Sequence, residues 1–172
     1  MNLYTADLHF GHKSVLRFDR RPFPDVDAMD EAMIKLWNGR VHDDDDVYIL
    51  GDFAYRNEKS EEWYLKQLKG RKHLIIGNHD TKLLKNDTAM SYFESVDKMM
   101  HVSDRGVEIC LCHFPIAEWN GYYKGHTHFY GHIHNNKDTE IREFMNTRQN
   151  AYNVGCMFYG YAPASLRQIT GK

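Results

Sequence analysis

Aspartate, asparagine and histidine residues occur in five short polar groups, each of which follows an apolar run. The groups are Asp7-Leu8-His9, Gly51-Asp52, Gly77-Asn78-His79-Asp80, Cys112-His113-Phe114-Pro115 and Gly131-His132-Ile133-His134. In an extended backbone, residues two apart point to the same side, so Asp7 and His9 can face one point. Carboxylate, imidazole and amide oxygen ligands suit manganese, iron or zinc ions better than a structural zinc ion held by thiolates. These groups therefore predict a metal site.

The number of candidate ligands exceeds what one ion needs. Two aspartates and four histidines are more than a single tetrahedral ion binds, which indicates two ions. A pair of neighbouring metal ions is a known arrangement for in-line displacement at phosphorus. Gly51, Gly77 and Gly131 permit sharp turns and let the backbone pass close to a ligand. The residues alone thus favour phosphoester hydrolysis at a two-metal site.

The ordered set Asp-x-His, Gly-Asp, Gly-Asn-His-Asp, His and Gly-His-x-His resembles the calcineurin-like metallophosphoesterases, in particular their small bacterial and phage members. It runs from residue 7 to residue 134. The end of the chain is also similar to the closing strand and turn of small bacterial members, through Asn153-Val154-Gly155, Pro163 and Ser165-Leu166. The resemblance implies a four-layer α/β/β/α sandwich of two mixed β-sheets flanked by helices. We expect a single domain over residues 1–172.

The resemblance also implies a role for each matched position. The residues implied to hold a first ion are Asp7, His9 and His134. Those implied to hold a second ion are Asn78, His113 and His132. Asp52 would bridge the ions together with a hydroxide that acts as the nucleophile, and His79 would act on the substrate as general acid or transition-state stabiliser. The implied cofactors are two divalent ions, manganese first, with iron, zinc or nickel as alternatives.

The segment after Asp52 departs from the Gly-Asp-x-Val-Asp-Arg-Gly pattern of the phosphoprotein phosphatases in this family. Tyr55 replaces the aspartate that orients the catalytic histidine there, which disfavours a protein phosphatase. Arg56 could bind a phosphate through its planar guanidinium, or it could lie in solvent. His12, on the same loop as His9, could contact the substrate or cap the next helix. Arg56 and His12 are therefore candidate substrate-binding residues.

Four further groups have two interpretations each. A basic and aromatic segment could stack a base and bind a phosphate, although a charged surface loop anchored by two buried phenylalanines is favoured: Arg17, Phe18, Arg20, Arg21 and Phe23. The run of aspartates at residues 43–46 favours a solvated turn over a cation site. His126 and His128 either support the Gly-His-x-His turn or simply pack. The aromatic residues of the segment after His113 either form a wall of the cleft or pack: Trp119, Tyr122 and Tyr123.

The elements that must position these groups alternate short apolar runs with amphipathic stretches. The predicted strands cover residues 3–6, 47–50, 73–76, 98–102, 107–112, 126–130 and 151–154. One predicted helix runs from Asp25 to Gly39, a second from Ser60 to Lys69, and a further helical stretch begins at about Lys82. Because the polar groups follow strands, they are expected to converge on the edge where strand carboxyl ends meet.

Length and charge restrict the class of protein. A chain of 172 residues suits one compact domain. A formal net charge of −2 and the lack of a long basic run argue against strong nucleic-acid binding. The first residues do not form a secretory signal and no apolar run is long enough to span a membrane, so we expect a cytoplasmic protein. The cysteines are expected to be buried thiols: Cys110, Cys112 and Cys156.

The combined expectation is a metal-dependent phosphoester hydrolase. Phosphodiesters or nucleotides are favoured as substrates, because the chain has no room for a cap domain and an open site admits an exposed phosphoester. The alternatives are a phosphomonoesterase with the same site, a single-metal binding protein, and a scaffold of the same fold without catalysis. Nothing in the sequence sets an oligomeric state.

Overall fold

The computed structural model describes residues 1–136 and 139–171, and their strands form two mixed β-sheets. The strands of the first sheet are β1 (Asn2–Thr5), β2 (Asp46–Leu50), β3 (Arg71–Ile75), β4 (Phe93–Asp97) and β9 (Ala164–Ser165). Their order is β4-β3-β2-β1-β9, with β1 to β4 parallel and β9 antiparallel to β1. The strands of the second sheet are β5 (Met99–Asp104), β6 (Val107–Cys112), β7 (Thr127–Tyr130) and β8 (Ala151–Asn153). Their order is β5-β6-β7-β8, and only the β5–β6 pair is antiparallel.

The described residues include six α-helices and three 3₁₀ turns. The helices are α1 (Val15–Phe18), α2 (Val26–Asn38), α3 (Glu61–Leu65), α4 (Asp87–Met90), α5 (Glu140–Asn146) and α6 (Leu166–Thr170). The 3₁₀ turns are Leu83–Lys85, Tyr122–Lys124 and Cys156–Phe158. The Asp25 side chain accepts a hydrogen bond from the backbone N–H of Ala28 at 2.8 Å, which satisfies a free donor in the first turn of α2. Helix α2 ends at Asn38 and Gly39 follows it as the C-cap, as the sequence predicted.

Two apolar clusters, one on each face of the first sheet, form the core. Alternate side chains of a strand point to opposite faces, so Leu3 belongs to one cluster and Tyr4 to the other. The first cluster joins the sheet to α2 through Met29, Met33 and Trp37. The second cluster lies between the two sheets and includes Ile75, Ile109, Leu111 and Phe129. The α/β sandwich of two mixed sheets flanked by helices is thereby confirmed.

One predicted helix is shorter in the structure, and one strand was not predicted. The helix predicted for residues 60–69 ends at Leu65, because Gln67 and Leu68 bond to carbonyls three residues back and tighten the chain into a turn. Strand β4 was not predicted, since its sequence Phe-Glu-Ser-Val-Asp has no apolar run and its residues are exposed or only partly buried.

The aspartate run at residues 43–46 is not the uniformly solvated turn that was predicted. Asp43 and Asp44 are exposed, but Asp45 is buried and accepts a hydrogen bond from the backbone N–H of His42 at 2.8 Å. Asp46 belongs to β2 and forms two hydrogen bonds with Arg71, at 2.8 and 2.6 Å. Asp45 and Asp46 therefore have structural roles, because their carboxylates accept hydrogen bonds from other residues of the fold.

The three cysteines are free and buried, as predicted. Among residues 1–136 and 139–171, no helix combines the length and apolar character that crossing a membrane requires.

Candidate metal centre

The predicted ligands lie just beyond the carboxyl ends of five strands, at one edge of the sandwich. The segments after β1 and β2 stay side by side after the strands end. Asp7 donates its backbone N–H to the Gly51 carbonyl at 3.1 Å, and His9 donates to the Asp52 carbonyl at 2.9 Å. These backbone contacts hold Asp7, His9 and Asp52 next to one another.

The first ligand group consists of Asp7, His9, Asp52 and His134. One donor atom from each of these residues lies within 4.8 Å of the donor atoms of the others. Three of the side chains are buried and that of His134 is partly buried. The Nε2 atoms of His9 and His134 are 3.2 Å apart. Two ring lone pairs at this distance repel unless a proton or a cation lies between them.

The second ligand group consists of Asn78, His113 and His132. The Asn78 Oδ1 atom lies 2.9 Å from Nε2 of His113 and 2.9 Å from Nδ1 of His132. The Nδ1–H of His113 donates to the Leu50 carbonyl at 2.8 Å. This bond fixes the tautomer, since a carbonyl can only accept, and leaves the Nε2 lone pair facing the group.

Asp52 lies between the two ligand groups. Its Oδ2 atom is 3.5 Å from Nε2 of His9 and 3.6 Å from Nε2 of His113. Its Oδ1 atom accepts a hydrogen bond from the backbone N–H of His79 at 2.8 Å. One carboxylate therefore connects both groups and the segment that carries His79.

Five of these seven residues have a left-handed backbone conformation. Their φ angles are 54° for Asp7, 51° for His9, 55° for Asp52, 70° for His132 and 49° for His134. Positive φ is uncommon for residues other than glycine. The assumption of an extended backbone from Asp7 to His9 was therefore wrong, although the two side chains do face one point. The turns, rather than strand alternation, aim these side chains.

Two glycines allow the segments after β2 and β3 to approach closely. A side chain at Gly51, where φ is 79°, would place its Cβ 2.5 Å from Nδ1 of His113. A Cβ at Gly77 would lie 2.4 Å from Oδ1 of Asp52. Both distances are shorter than any van der Waals contact, so these positions require glycine.

Asp80 supports the site through hydrogen bonds to backbone N–H groups, a role that was not predicted from its motif. Its carboxylate is buried and accepts three backbone hydrogen bonds: from Gly77 at 2.8 Å, Asp52 at 3.0 Å and Phe53 at 2.9 Å. The bonds tie the segment after β3 to the segment after β2. Asp80 thereby fixes the relative position of Asp52 and Asn78.

A buried ion pair between Asp19 and Arg21 supports the first ligand group from the opposite side. The Arg21 guanidinium donates to the carbonyls of Asp7 and Leu8, each at 2.7 Å, and to Asp19 at 3.0 Å. Asp19 Oδ2 lies 3.5 Å from Nδ1 of His134. The guanidinium thus satisfies carbonyls of the segment after β1 and anchors the carboxylate beside a predicted ligand.

The favoured interpretation of the segment from Arg17 to Phe23, a surface loop anchored by two buried phenylalanines, was therefore wrong. Arg21 is buried, whereas Phe18 is 53% exposed and Phe23 is only partly buried. The neighbouring Arg20 is exposed. No spacing in the sequence separates the buried arginine from the exposed ones, because the difference depends on the position of the segment after β1.

The electrostatic environment fits a bound cation. Burial lowers the pKa of His9 well below its usual value, and burial and the neighbouring His113 lower that of His132, so lone pairs are available. Burial raises the pKa of Asp7, because removal from water disfavours the charged carboxylate. Burial opposes protonation of His134, but hydrogen bonding and the charge of Asp19 raise its pKa overall, so this position favours positive charge. The donor set and its burial therefore fit a divalent metal ion.

The remaining candidate residues lie at the rim of the ligand groups. The His79 ring is 5.5 Å from the His9 ring and 4.1 Å from the Tyr55 ring, centroid to centroid. Tyr55, which stands where a carboxylate was expected, thus packs against His79. His12 is buried, with its ring 5.3 Å from that of His9, and burial lowers its pKa to about 4. Arg56 is exposed and its guanidinium lies over the Tyr55 ring at 5.3 Å.

The residues with two interpretations around His128 can be assigned from their contacts. His128 is buried, donates from Nδ1 to the Cys110 carbonyl at 3.0 Å and accepts at Nε2 from the backbone N–H of Ile116 at 3.2 Å. It therefore supports the segment that follows His113. Trp119 is buried and donates to the His126 carbonyl at 2.8 Å, which is a packing role.

Comparison with known proteins agrees with this fold. A family model described as calcineurin-like phosphoesterase matches residues 3–99. Protein MJ1445 of Methanocaldococcus jannaschii is 30% identical over 166 residues, which are 95% of this chain and 86% of that protein. The gene 66 protein of Mycobacterium phage L5 is 30% identical over 158 residues, with 76% of each chain covered. The crystal structure of protein AQ665 from Aquifex aeolicus superposes with a TM-score of 0.75 at 23% identity, over 98% of this chain and 96% of that one.

Proposed function

The chain belongs to the calcineurin-like phosphoesterase family, and from this premise we propose that it is a phosphodiesterase that uses two divalent metal ions, manganese first among the candidates. The observation that carries the proposal is the position of Asp52. Its Oδ2 atom lies within 3.6 Å of a histidine nitrogen of each ligand group. A carboxylate shared by two sets of ligands is the arrangement that two neighbouring ions require.

The two ligand groups would hold one ion each, with Asp52 common to both. Ions bound there would activate a water molecule for attack at phosphorus and offset negative charge on the phosphate oxygens. Asn78 would be a neutral ligand, which adds no negative charge to a site that receives an anion. The site therefore combines four buried donor residues with three that are exposed or partly buried, which leaves the ester an approach from solvent.

His79 is proposed to donate a proton to the leaving oxygen. The backbone bond to Asp52 ties it to the shared carboxylate, and the Tyr55 ring restricts its orientation. General acid catalysis by a positioned side chain typically contributes about a hundred- to ten-thousand-fold to the rate. Arg56, exposed beside Tyr55, supplies a positive charge at the rim for a phosphate oxygen.

Hydrolysis of bis(p-nitrophenyl) phosphate by metal-stripped protein, with and without added manganese, tests the proposal. We expect turnover only with manganese. Asp52→Asn should lower turnover by more than about a hundredfold, beyond the range typical of residues that merely support a ligand. Its circular dichroism spectrum should match that of the wild type, since asparagine keeps an oxygen for the His79 backbone N–H.

Asp44→Asn is the matched control, because Asp44 is exposed in a surface turn and its variant should retain full turnover. Undiminished turnover by Asp52→Asn would refute the shared-carboxylate role. Manganese-dependent turnover of p-nitrophenyl phosphate, without any of the diester, would show a phosphomonoesterase instead. Absence of both activities in protein with two bound ions per chain would indicate a scaffold without catalysis.

A further inference from the structure

A cavity of about 650 Å³ opens directly beside the ligand groups. His132 and His134 form one wall of it. Two other segments also contribute to its lining, through Phe18 and Arg20 in one and Ile141 of α5 in the other. A cavity of this size is within the range that binds small organic molecules. It lies where a group attached to the reacting phosphate would extend.

The cavity exposes apolar surface that the fold leaves uncovered. Phe18 is 53% exposed and Ile141 is 38% exposed. The Phe18 ring meets the His134 ring edge-on, with centroids 5.4 Å apart and planes at 81°. The phenylalanine ring is thus packed against a predicted metal ligand, and its 53% exposure leaves ring surface available to a ligand. An aromatic surface that is fixed and exposed favours stacking with a planar group.

Arg20 adds charge to this apolar surface. It is exposed, and within residues 1–136 and 139–171 its guanidinium has neither an ion pair nor a hydrogen bond. Its backbone has a φ of 52°, a conformation that is uncommon outside glycine. The amide side chain of Asn136 also lines the cavity and is exposed. The cavity therefore offers a planar apolar surface, a guanidinium without a partner among the described residues, and an amide.

We propose that this cavity binds the nucleoside part of a single nucleotide unit whose phosphate lies at the metal centre. The inference rests on the proposed phosphoesterase activity and names its substrate class. Phe18 stacks on the base, Asn136 bonds to a polar edge of the base, and Arg20 attracts the phosphate. A single unit is specified because the chain carries a net charge of −2 and has no basic run that could follow a longer strand.

Binding measurements on manganese-loaded protein test the cavity separately from catalysis. The probes are a phosphonate analogue of adenosine 5′-monophosphate, which has no ester to hydrolyse, and the same analogue without its base. Calorimetric titration should show about tenfold tighter binding of the analogue that carries the base, the scale of base–aromatic stacking. Phe18→Leu should remove this difference. Tyr92→Leu, which changes an aromatic residue 36% exposed outside the cavity, should preserve it.

A second pair of variants tests the contribution of the Arg20 charge to phosphate binding. Arg20→Gln should weaken both analogues by the same factor, whereas Arg17→Gln, an exposed arginine outside the cavity lining, should not. Equal affinity of the two analogues for the wild type, or a base preference that survives Phe18→Leu, would overturn the proposal. So would a five-nucleotide DNA strand that binds far more tightly than the mononucleotide analogue. If no phosphoester is hydrolysed, the proposed function is refuted, but these titrations still show whether the cavity binds a nucleoside.

Discussion

Replacing Asp80 with asparagine should destabilise the fold and loosen the metal centre together. The Asp80 carboxylate accepts backbone hydrogen bonds from Gly77, Asp52 and Phe53 at 2.8 to 3.0 Å. An asparagine has one acceptor oxygen, so its amide N–H₂ must face at least one of these donors. A hydrogen bond to a charged group contributes about 1.5–3 kcal/mol, and a buried donor left without a partner costs about 1–3 kcal/mol. These effects overlap, and we expect a loss of about 3 kcal/mol in the free energy of unfolding.

Urea unfolding of the metal-free protein, followed by circular dichroism, measures this loss. Asp44→Asn is the matched control and should stay within about 0.5 kcal/mol of the wild type, as surface substitutions usually do. A manganese titration should also show roughly tenfold weaker binding by Asp80→Asn, because the backbone of Asp52 is no longer held. A change in unfolding free energy below about 1 kcal/mol would refute the reasoning that all three bonds depend on the charged carboxylate.

Two further variants test the residues that support the site. Asp19→Asn should weaken manganese binding by about 10- to 100-fold, because it removes the negative charge beside His134; unchanged affinity would exclude this role. His128 is buried and its pKa is lowered to about 4 by that burial. His128 of the unfolded chain therefore binds a proton below about pH 6.5, whereas His128 of the folded chain binds one only below about pH 4. The free energy of unfolding should thus fall as the pH drops from about 6.5 to 4, by up to roughly 3 kcal/mol. His128→Gln should lose less stability over this range in urea unfolding of metal-free protein, and an equal loss would contradict the assignment.

The strands and the positions of the predicted ligands could be obtained from the sequence because both leave local signals. Runs such as residues 47–50 are apolar and end at a glycine, and the polar residue that follows must lie at the end of a strand. The order of the polar groups was specific enough to identify the family, and the family fixed the pairing of two mixed sheets. Strand β4 lacked such a signal, since an edge strand without a fully buried residue needs few apolar residues.

The supporting residues could not be predicted, because their roles depend on contacts between distant segments. Arg21 is one of three arginines within five residues, and it is buried only because the carbonyls of Asp7 and Leu8 lie where its guanidinium can reach them. Tyr55 was interpreted as a lost carboxylate, yet its ring packs against His79. Asp80 belongs to the Gly-Asn-His-Asp motif, but its function depends on three backbone N–H donors. Two of these donors belong to the segment after β2, which only the folded chain brings next to Asp80.

The left-handed backbone of the ligands has a consequence for the evolution of this chain. Five proposed ligand residues occupy a conformation that costs roughly 1–2 kcal/mol for a residue with a side chain, while whole domains are stable by only about 5–15 kcal/mol. Selection for stability alone would replace such residues with glycine, which adopts this conformation without the penalty. A descendant that no longer needed the site would drift in that direction. Glycine at His9, His132 or His134 would therefore mark relatives that have lost catalysis, and such relatives should unfold at higher temperature than their active counterparts.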